Sequence, residues 1–191
     1  AQCLHEFVWH EFCDWYLELA KATLQNEHND CNLKLGTKTT LTKSLESILR
    51  LLHPIMPFIT EEIWINIKSK LALTEETIML RSYPKYCPRK YNINAEKEIT
   101  WIKQFIAGVR QIRGEMDISP GKKLPILLQN SSRSDKTLVN DHLDLLKRIG
   151  RIETIQFLMG DEKAPTSSTA MHGKMKLLIP LADLIDIDDE I

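Results

Sequence analysis

Apolar residues recur every three or four positions through most of the first 118 residues. This spacing collects them on one side of an α-helix, so it predicts helices rather than strands. We expect four helices, over residues 4–22, 41–52, 57–71 and 95–116. Residues 26–40 are expected to be a loop, and 72–94 mostly irregular chain with a brief extended pairing at 78–80. Because amphipathic helices hide their apolar sides by packing together, residues 1–118 are predicted to form a helical bundle.

The chain changes character after residue 118. Apolar segments become short and partly alternating, which is typical of β-strands. We expect strands over 124–129, 153–159 and 174–181, a helix over 134–149 and a polar loop over 160–173. The predicted fold is therefore mainly α, with a helical bundle over 1–118 and a small α+β appendage of β-α-β-β order over 119–191.

Residues 53–64 read HPIMPFITEEIW and raise the question of a catalytic or metal site. Two carboxylates that share a metal ion on one helix need a spacing of three or four residues, whereas Glu61 and Glu62 are adjacent and point roughly 100° apart. The two prolines instead predict a corner between helices, with Pro57 as the first residue of the second one. We expect His53 to bond a helix-end carbonyl there. Glu61 is expected near the solvent face, with Glu62 on the other flank of the apolar side.

His10 and Asp14 fall one residue short of the H-E-x-x-H zinc signature, because Asp14 stands where the second histidine would be. We expect a solvated pair on the polar side of the first helix, and a small hydrolase or metalloenzyme is the alternative. The four cysteines show no zinc-ligand spacing and predict free thiols. Neither a glycine-rich phosphate loop nor a nucleophile elbow occurs. We therefore predict no catalytic residue and no metal ligand in this chain.

Residues 81–123, named here the basic band, carry ten Lys and Arg against four Asp and Glu, although the whole chain has a net charge of −1. Such a band is typical of contact with a polyanion, and a merely solvated surface is the alternative. Arg113 falls on the apolar side of the fourth helix, where it needs a carboxylate, a carbonyl or a phosphate as partner. Lys122 and Lys123 follow the turn at 119–121 and are expected to be exposed.

Aromatic side chains are the usual platforms on which unpaired RNA bases stack. Phe12, Trp15 and Phe58 lie on the apolar sides of their helices, so we expect them in the core. Trp9 and Trp101 lie off those sides and are expected to be exposed or to cover an interface.

Five strings in the chain match a known pattern. They are EFCDWYLE at 11–18, HPIMPFITEEIW at 53–64, RQIRGEM at 110–116, SPGKK at 119–123 and IPLADLID at 179–186. Together they resemble the C-terminal portion of the valyl-tRNA synthetase family, a group of class I aminoacyl-tRNA synthetases, over essentially all 191 residues. The second string is shared with isoleucyl and leucyl relatives and indicates the superfamily only, whereas the others point to the valyl group.

The resemblance implies a helical bundle of the class I synthetase anticodon-binding type, which holds the anticodon stem-loop of tRNA(Val). It also implies a piece of a longer, monomeric, cytoplasmic enzyme whose catalytic and editing domains precede this region and whose C-terminal coiled coil follows it. The H-I-G-H and K-M-S-K-S signatures of that catalytic domain are absent here. No cofactor is expected in this chain, since ATP and Mg²⁺ belong to the parent's catalytic domain, which is its second expected partner. With no run of about 18 apolar residues, no membrane is expected.

We expect RNA phosphates to be contacted by lysines and arginines on the polar sides of the first two helices and in the basic band. The candidates are Lys21, Lys43, Arg50, Lys103, Arg110, Arg113, Lys122 and Lys123. Two alternatives stay open: the anticodon-binding domain of an isoleucyl- or leucyl-type synthetase, and a helical protein-interaction module.

Overall fold

The computed structural model describes residues 1–27, 29–159, 162 and 165–181 of the chain. Contacts between residues divide the chain into two compact units, Ala1–Tyr91 and Asn92–Ile191. This division lies ahead of the fourth predicted helix, and the predicted domain boundary after residue 118 stays a prediction. The predicted fold class is confirmed, since helices dominate and a small four-stranded sheet follows them.

The first unit opens with one helical stretch over residues 2–25. It consists of α1 (Gln2–Glu6), a π-helical segment (Phe7–Tyr16) and α2 (Leu17–Gln25). The helix predicted over 4–22 is therefore confirmed. Asn26 ends it, because its backbone is extended (φ −77°, ψ 112°).

The next helix, α3 (Cys31–Leu52), begins at residue 31 rather than 41, so the expectation of a loop over 26–40 is wrong for its second part. Apolar spacing carried no signal there, because Leu33 and Leu35 stay exposed. Threonine hydroxyls donate to backbone carbonyls four residues back along this helix, an arrangement compatible with an exposed helical surface.

A tight corner joins α3 to α4 (Pro57–Lys68), as the two prolines predict. At the end of α3, the backbone N–H of His53 donates to the carbonyl oxygen of Leu49 (2.9 Å). Pro57 lies in the first turn of α4, where backbone N–H groups have no partner within the helix. The missing N–H of proline therefore costs no helical hydrogen bond.

The core of the first unit joins α3, α4 and the chain that follows α4. At its centre lies Trp64, which is fully buried, together with Leu49 and Ile78. Ile78–Leu80 forms a single 3-10 turn and not the extended pairing expected there. The half-buried residues around this cluster are Leu45, Ile63, Ile67 and Leu73.

The second unit is a four-stranded sheet with a long helix packed on it. Its elements are α5 (Ile93–Glu115), β1 (Leu124–Gln129), α6 (Arg133–Asp141), α7 (Leu143–Gly150), β2 (Ile152–Phe157), β3 (Ser167–His172) and β4 (Met175–Pro180). The strand order is β2-β1-β4-β3, with β1 and β2 parallel and the other neighbours antiparallel. A parallel pair needs a crossover connection, which α6 and α7 supply.

The apolar side of α5 packs against the sheet, largely as the sequence predicts. Its buried apolar residues are Ile102, Phe105, Ile106, Val109 and Ile112. Ile99 and Met116, which lie outside this buried stretch, are exposed. Gly108 permits the close approach, because a Cβ atom there would lie 2.7 Å from Cδ1 of Leu177 on β4.

Two details of the second unit differ from the prediction. The helix expected over 134–149 is two helices, because His142 leaves helical geometry between α6 and α7 (φ −115°, ψ 20°). The strand β3 lies within the predicted loop over 160–173, since its sequence SSTAMH is mostly small and polar and gives a weak strand signal. Gly173 (φ 60°) lies in the turn to β4, with which β3 pairs. Parts of 160–173 and of the string at 179–186 lie outside the described residues.

Candidate nucleic-acid interface

Arg113 lies at the end of the apolar side of α5 and is only 9% exposed. Of the three kinds of partner expected, its guanidinium group binds carbonyl oxygens. It donates to the carbonyls of Ser119 (3.2 Å), Lys122 (2.7 Å), Gly150 (3.3 Å) and Arg151 (2.8 Å). Because the guanidinium is a planar fork of N–H donors, one side chain can reach two chain segments. Arg113 therefore ties the loop after α5 to the residues that precede β2.

Burial lowers the pKa of Arg113, and the charge of Arg151 lowers it further. An arginine nevertheless stays protonated in proteins, so its bonds to the carbonyls are charge-assisted. Since these bonds occupy both terminal nitrogens, we assign Arg113 to the support of the loop rather than to a phosphate. In that loop Lys123 is exposed, as expected, whereas Lys122 is half-buried.

Arg50 is the second candidate whose donors bind the protein itself. Its Nη1 donates to the carbonyl of Ser82 (2.6 Å) and its Nη2 to Oε2 of Glu46 (2.8 Å). Glu46 is buried, and Nε of Arg81 lies 3.5 Å from its Oε1. Arg81 also donates to Glu75 (2.5 Å), and this hydrogen bond lowers the pKa of Glu75. The four charged groups join α3 to the chain after α4, so Arg50 shapes the first unit.

The remaining candidates lie on helix surfaces. Lys21 on α2 and Lys43 on α3 are exposed, and Lys21 forms an ion pair with Glu18 (2.6 Å). Because an exposed pair of this kind contributes only roughly 0–1 kcal/mol, Lys21 can exchange its carboxylate for an RNA phosphate. On α5, Arg110 is exposed and Lys103 is half-buried.

The segment at 53–64 is a structural corner rather than an assembled active site. Nδ1 of His53 lies 2.8 Å from Oγ1 of Thr60, and this hydroxyl donates to the carbonyl of Met56 (2.8 Å). In the Nδ1–H tautomer, His53 donates to this hydroxyl, whose single hydrogen is then shared with the carbonyl. The expected bond from the histidine to a helix-end carbonyl is therefore relayed by Thr60.

The two glutamates of this segment differ from their expected places. Glu61 is half-buried and accepts hydrogen bonds from Oγ1 of Thr77 (2.7 Å) and from the N–H of Ile78 (3.3 Å). Glu62 is the exposed one. The helical pattern could not show this, because the partners of Glu61 belong to the chain after α4, which has no periodic signal.

His10 and Asp14 form the expected exposed pair, with Nδ1 and Oδ2 3.3 Å apart. Across the described ranges, no group of three His, Cys, Asp or Glu side chains is arranged to hold a metal ion. All four cysteines are free thiols, and Cys13 alone among them is partly covered.

Phe58 is 90% exposed, so the expectation that it lies in the core is wrong. It is the second residue of α4, directly after the corner, and its ring faces solvent. Phe12 is buried as expected, Trp15 is half-buried and Trp9 is 58% exposed. Trp101 is half-buried and donates its Nε1–H to an aspartate of α6 (2.9 Å).

Residues 81–91, expected only to be irregular, hold exposed aromatic and basic side chains that were not among the predicted site residues. Tyr83 and Tyr86 are 59% and 81% exposed. The signal is present in the string RSYPKYCPRKY, which alternates aromatic residues with lysines and arginines and contains no acidic residue. Only the structure shows that these aromatic rings are not core residues.

In the part of the chain that the structure describes, no helix has both the length and the apolar character needed to cross a bilayer.

The model of the family "anticodon-binding domain of tRNA ligase" matches residues 1–128, and the chain belongs to this family. Valine–tRNA ligases are among the individual proteins it is similar to. Those of Legionella pneumophila strains Lens and Paris are each 45% identical to it over 191 residues, which are 100% of this chain and 21% of each relative. The resemblance drawn from the five strings is thus confirmed, for a chain that spans about a fifth of the length of these curated relatives.

Proposed function

We propose that this chain is the tRNA-binding module of a valine–tRNA ligase and that it holds the anticodon stem-loop of tRNA(Val). The observation that carries the proposal is the agreement of two comparisons, the anticodon-binding family over residues 1–128 and the 45% identity to valine–tRNA ligases over the whole chain. Exposed cations on both units support it, because contacts to phosphates position a protein on its RNA.

The candidate cations fall into two groups by the role proposed for them. Arg50 and Arg113 bind carbonyls and carboxylates of the protein and contribute to RNA binding only through the surfaces they stabilise. The cations proposed to contact phosphates are Lys21, Lys43, Lys103, Arg110, Lys122 and Lys123.

The proposal extends to the parent enzyme. It attaches valine to tRNA(Val) at the expense of ATP, as a cytoplasmic monomer, and its catalytic domain is the second partner of this module. ATP and Mg²⁺ bind in that catalytic domain. The module itself supplies affinity for the tRNA and recognises the anticodon.

Fluorescence anisotropy of labelled transcripts tests the proposal. We expect the chain to bind tRNA(Val) more tightly than tRNA(Ile) or than a tRNA(Val) with all three anticodon bases replaced. The affinity should fall linearly with the logarithm of the salt concentration between about 50 and 200 mM, because bound cations release counterions from phosphates.

Each other outcome has a defined meaning. Equal affinity for the three transcripts would contradict anticodon recognition, and a preference for tRNA(Ile) would favour the isoleucyl-type alternative. Indifference to RNA at every salt concentration would contradict the proposal as a whole and favour a protein-interaction module.

A further inference from the structure

The excess positive charge of the basic band is concentrated in its first eleven residues. Residues 81–91 contain four Lys and Arg and no Asp or Glu, whereas residues 92–123 contain six against four. The first part therefore contributes +4 and the second +2 to the total of +6. We name residues 81–91 the basic aromatic segment.

The basic aromatic segment is anchored where it begins. The carbonyl of Ser82 accepts a hydrogen bond from Arg50 (2.6 Å), and Arg81 binds Glu75 (2.5 Å). Beyond this anchor, Pro88 opens a 3-10 turn, Pro88–Lys90, in which the N–H of Lys90 donates to the carbonyl of Cys87 (3.0 Å). Prolines restrict the backbone and reduce the entropy lost when a partner binds.

The side chains beyond the anchor face solvent. Tyr86 is 81% exposed and Tyr83 is 59% exposed, although a tyrosine ring is a large, mainly apolar surface. The cations Lys85, Arg89 and Lys90 are also exposed. Tyr83 and Tyr86 thus present uncovered rings with three cations beside them along the chain.

This combination matches the chemistry of single-stranded or unpaired RNA. Unpaired bases stack on exposed aromatic rings, while neighbouring phosphates are bound by lysines and arginines. A protein partner fits less well, because the centres of protein interfaces, although enriched in tyrosine and arginine, are depleted of lysine and of charged residues generally.

We propose that the basic aromatic segment is an additional RNA contact, in which Tyr83 and Tyr86 stack on unpaired bases and Lys85, Arg89 and Lys90 bind the adjacent phosphates. The identity of the RNA as tRNA(Val) rests on the proposed function. The chemistry of the segment requires only an RNA with unpaired bases.

A charge-matched pair of variants tests the phosphate contacts. Lys85→Ala/Arg89→Ala/Lys90→Ala removes three cations from the segment, and Lys70→Ala/Arg133→Ala/Lys174→Ala removes three exposed cations elsewhere. Because each lost phosphate contact reduces the slope of log K against log salt by about 1, the segment variant should lose about 2 to 3 in this slope for tRNA(Val). The control variant should lose less than half of that amount. Equal slopes for the two variants would overturn the phosphate contacts.

A second pair of variants tests the stacking. Tyr83→Ala/Tyr86→Ala should weaken binding about tenfold or more with an unchanged salt slope, and Tyr83→Phe/Tyr86→Phe should restore the affinity, because the ring and not the hydroxyl stacks. Melting temperatures of all variants should equal that of the unaltered chain, since the side chains are exposed. An alanine variant that binds as tightly as the unaltered chain would overturn the stacking.

Cys87 provides a measurement that needs no substitution. It lies exposed between Tyr86 and Arg89, and Cys31 on α3 is an exposed thiol for comparison. Bound tRNA(Val) should slow alkylation of Cys87, followed by mass spectrometry, at least severalfold more than alkylation of Cys31. Equal protection of the two thiols would overturn the assignment of the segment to the RNA interface.

The failure of the proposed function can be told apart from the failure of this inference. If the chain does not bind tRNA(Val) but binds a single-stranded oligouridine, and the segment variant alone loses that binding, the basic aromatic segment is supported and the proposed function is not. If the segment variant binds both RNAs normally but no longer binds vesicles of anionic lipid, the segment serves a membrane surface and the inference is overturned.

Discussion

The guanidinium of Arg113 donates a hydrogen bond of 2.8 Å to the backbone carbonyl of Arg151, so one arginine holds the main chain of another. The backbone of Arg151 is left-handed (φ 53°), a conformation that is uncommon outside glycine. The same guanidinium binds the carbonyl of Lys122 (2.7 Å). The backbone of the basic residues after α5 is therefore held by a buried arginine.

Arg113 and Arg110 lie one turn apart on α5 and should separate stability from RNA binding. Arg113→Ala leaves several carbonyls without a donor and should lower the free energy of unfolding by about 2–4 kcal/mol. Arg110 is exposed, so Arg110→Ala should change it by less than about 0.5 kcal/mol. In RNA titrations the order reverses, because only Arg110 is proposed to contact a phosphate: Arg110→Ala should reduce the salt slope by about 1 and Arg113→Ala should leave it unchanged. Urea denaturation and anisotropy measure the two quantities. A reduced slope for Arg113→Ala in a chain of unaltered stability would show that its bonds to the carbonyls have been misjudged.

Glu61 and Glu62 offer a comparison between adjacent residues of the same type. Glu61→Ala removes the acceptor for Thr77 and for the N–H of Ile78, and should lower the free energy of unfolding by about 1–3 kcal/mol. Glu62→Ala, at an exposed position, should change it by less than about 0.5 kcal/mol. Urea denaturation of both variants checks this prediction. Equal losses would mean that the hydrogen bonds of Glu61 to Thr77 and Ile78 add nothing measurable to stability.

The sequence could predict the elements whose apolar residues face one core. The spacing on α5 and the prolines of the corner before α4 are local signals, and both led to correct elements. The first turns of α3 were missed because their leucines, Leu33 and Leu35, are exposed and follow no buried pattern. The strand β3 was missed because pairing with β4 stabilises it, and its own residues favour it only weakly.

The candidate site shows the same limit more sharply. Arg50 was a candidate because of its charge on the second helix, and Arg113 because of its charge in the basic band. The place of Arg113 on the apolar side of its helix predicted a partner but could not show which one. Their partners, Ser82 and Arg151, are 32 and 38 residues away along the chain, so only the folded structure shows that both arginines bind the protein itself. Tyr86 shows the opposite case, a residue that charge and spacing did not identify as a candidate. Its exposure of 81% among the described residues is visible only in the folded structure.

Alanine substitutions of Trp64 and Phe58, both on α4, should differ strongly in their effect on stability, because Trp64 is buried and Phe58 is exposed. Trp64 is fully buried in the core of the first unit, and Trp64→Ala should lower the free energy of unfolding by about 3–5 kcal/mol through lost contacts and the cavity left behind. Phe58 is 90% exposed, so Phe58→Ala should change it by less than about 0.5 kcal/mol. Thermal and urea unfolding of both variants measure the difference. A loss of more than about 1 kcal/mol for Phe58→Ala would show that its ring is covered in solution.

His172 should make the stability of the second unit depend on pH. It is the last residue of β3 and is buried against the rings of Trp101 (5.0 Å between centroids) and Phe105 (6.4 Å). Its Nε2 atom is buried without a hydrogen-bond partner in the described part of the chain. Burial lowers the pKa of His172, and the charge of Asp135 offsets only part of this effect.

The direction of the pH dependence follows from that lowered pKa. The unfolded histidine binds a proton near its ordinary pKa of 6.5, while the folded histidine stays neutral to lower pH. The unfolded state therefore holds more protons below about pH 6.5, and stability should fall as the pH decreases from 7 through 6.5 towards the folded pKa. Urea denaturation at a series of pH values measures this slope. His172→Phe should abolish it, whereas His10→Gln, at an exposed histidine, should retain it. A slope that persists in His172→Phe would assign the proton uptake to another group.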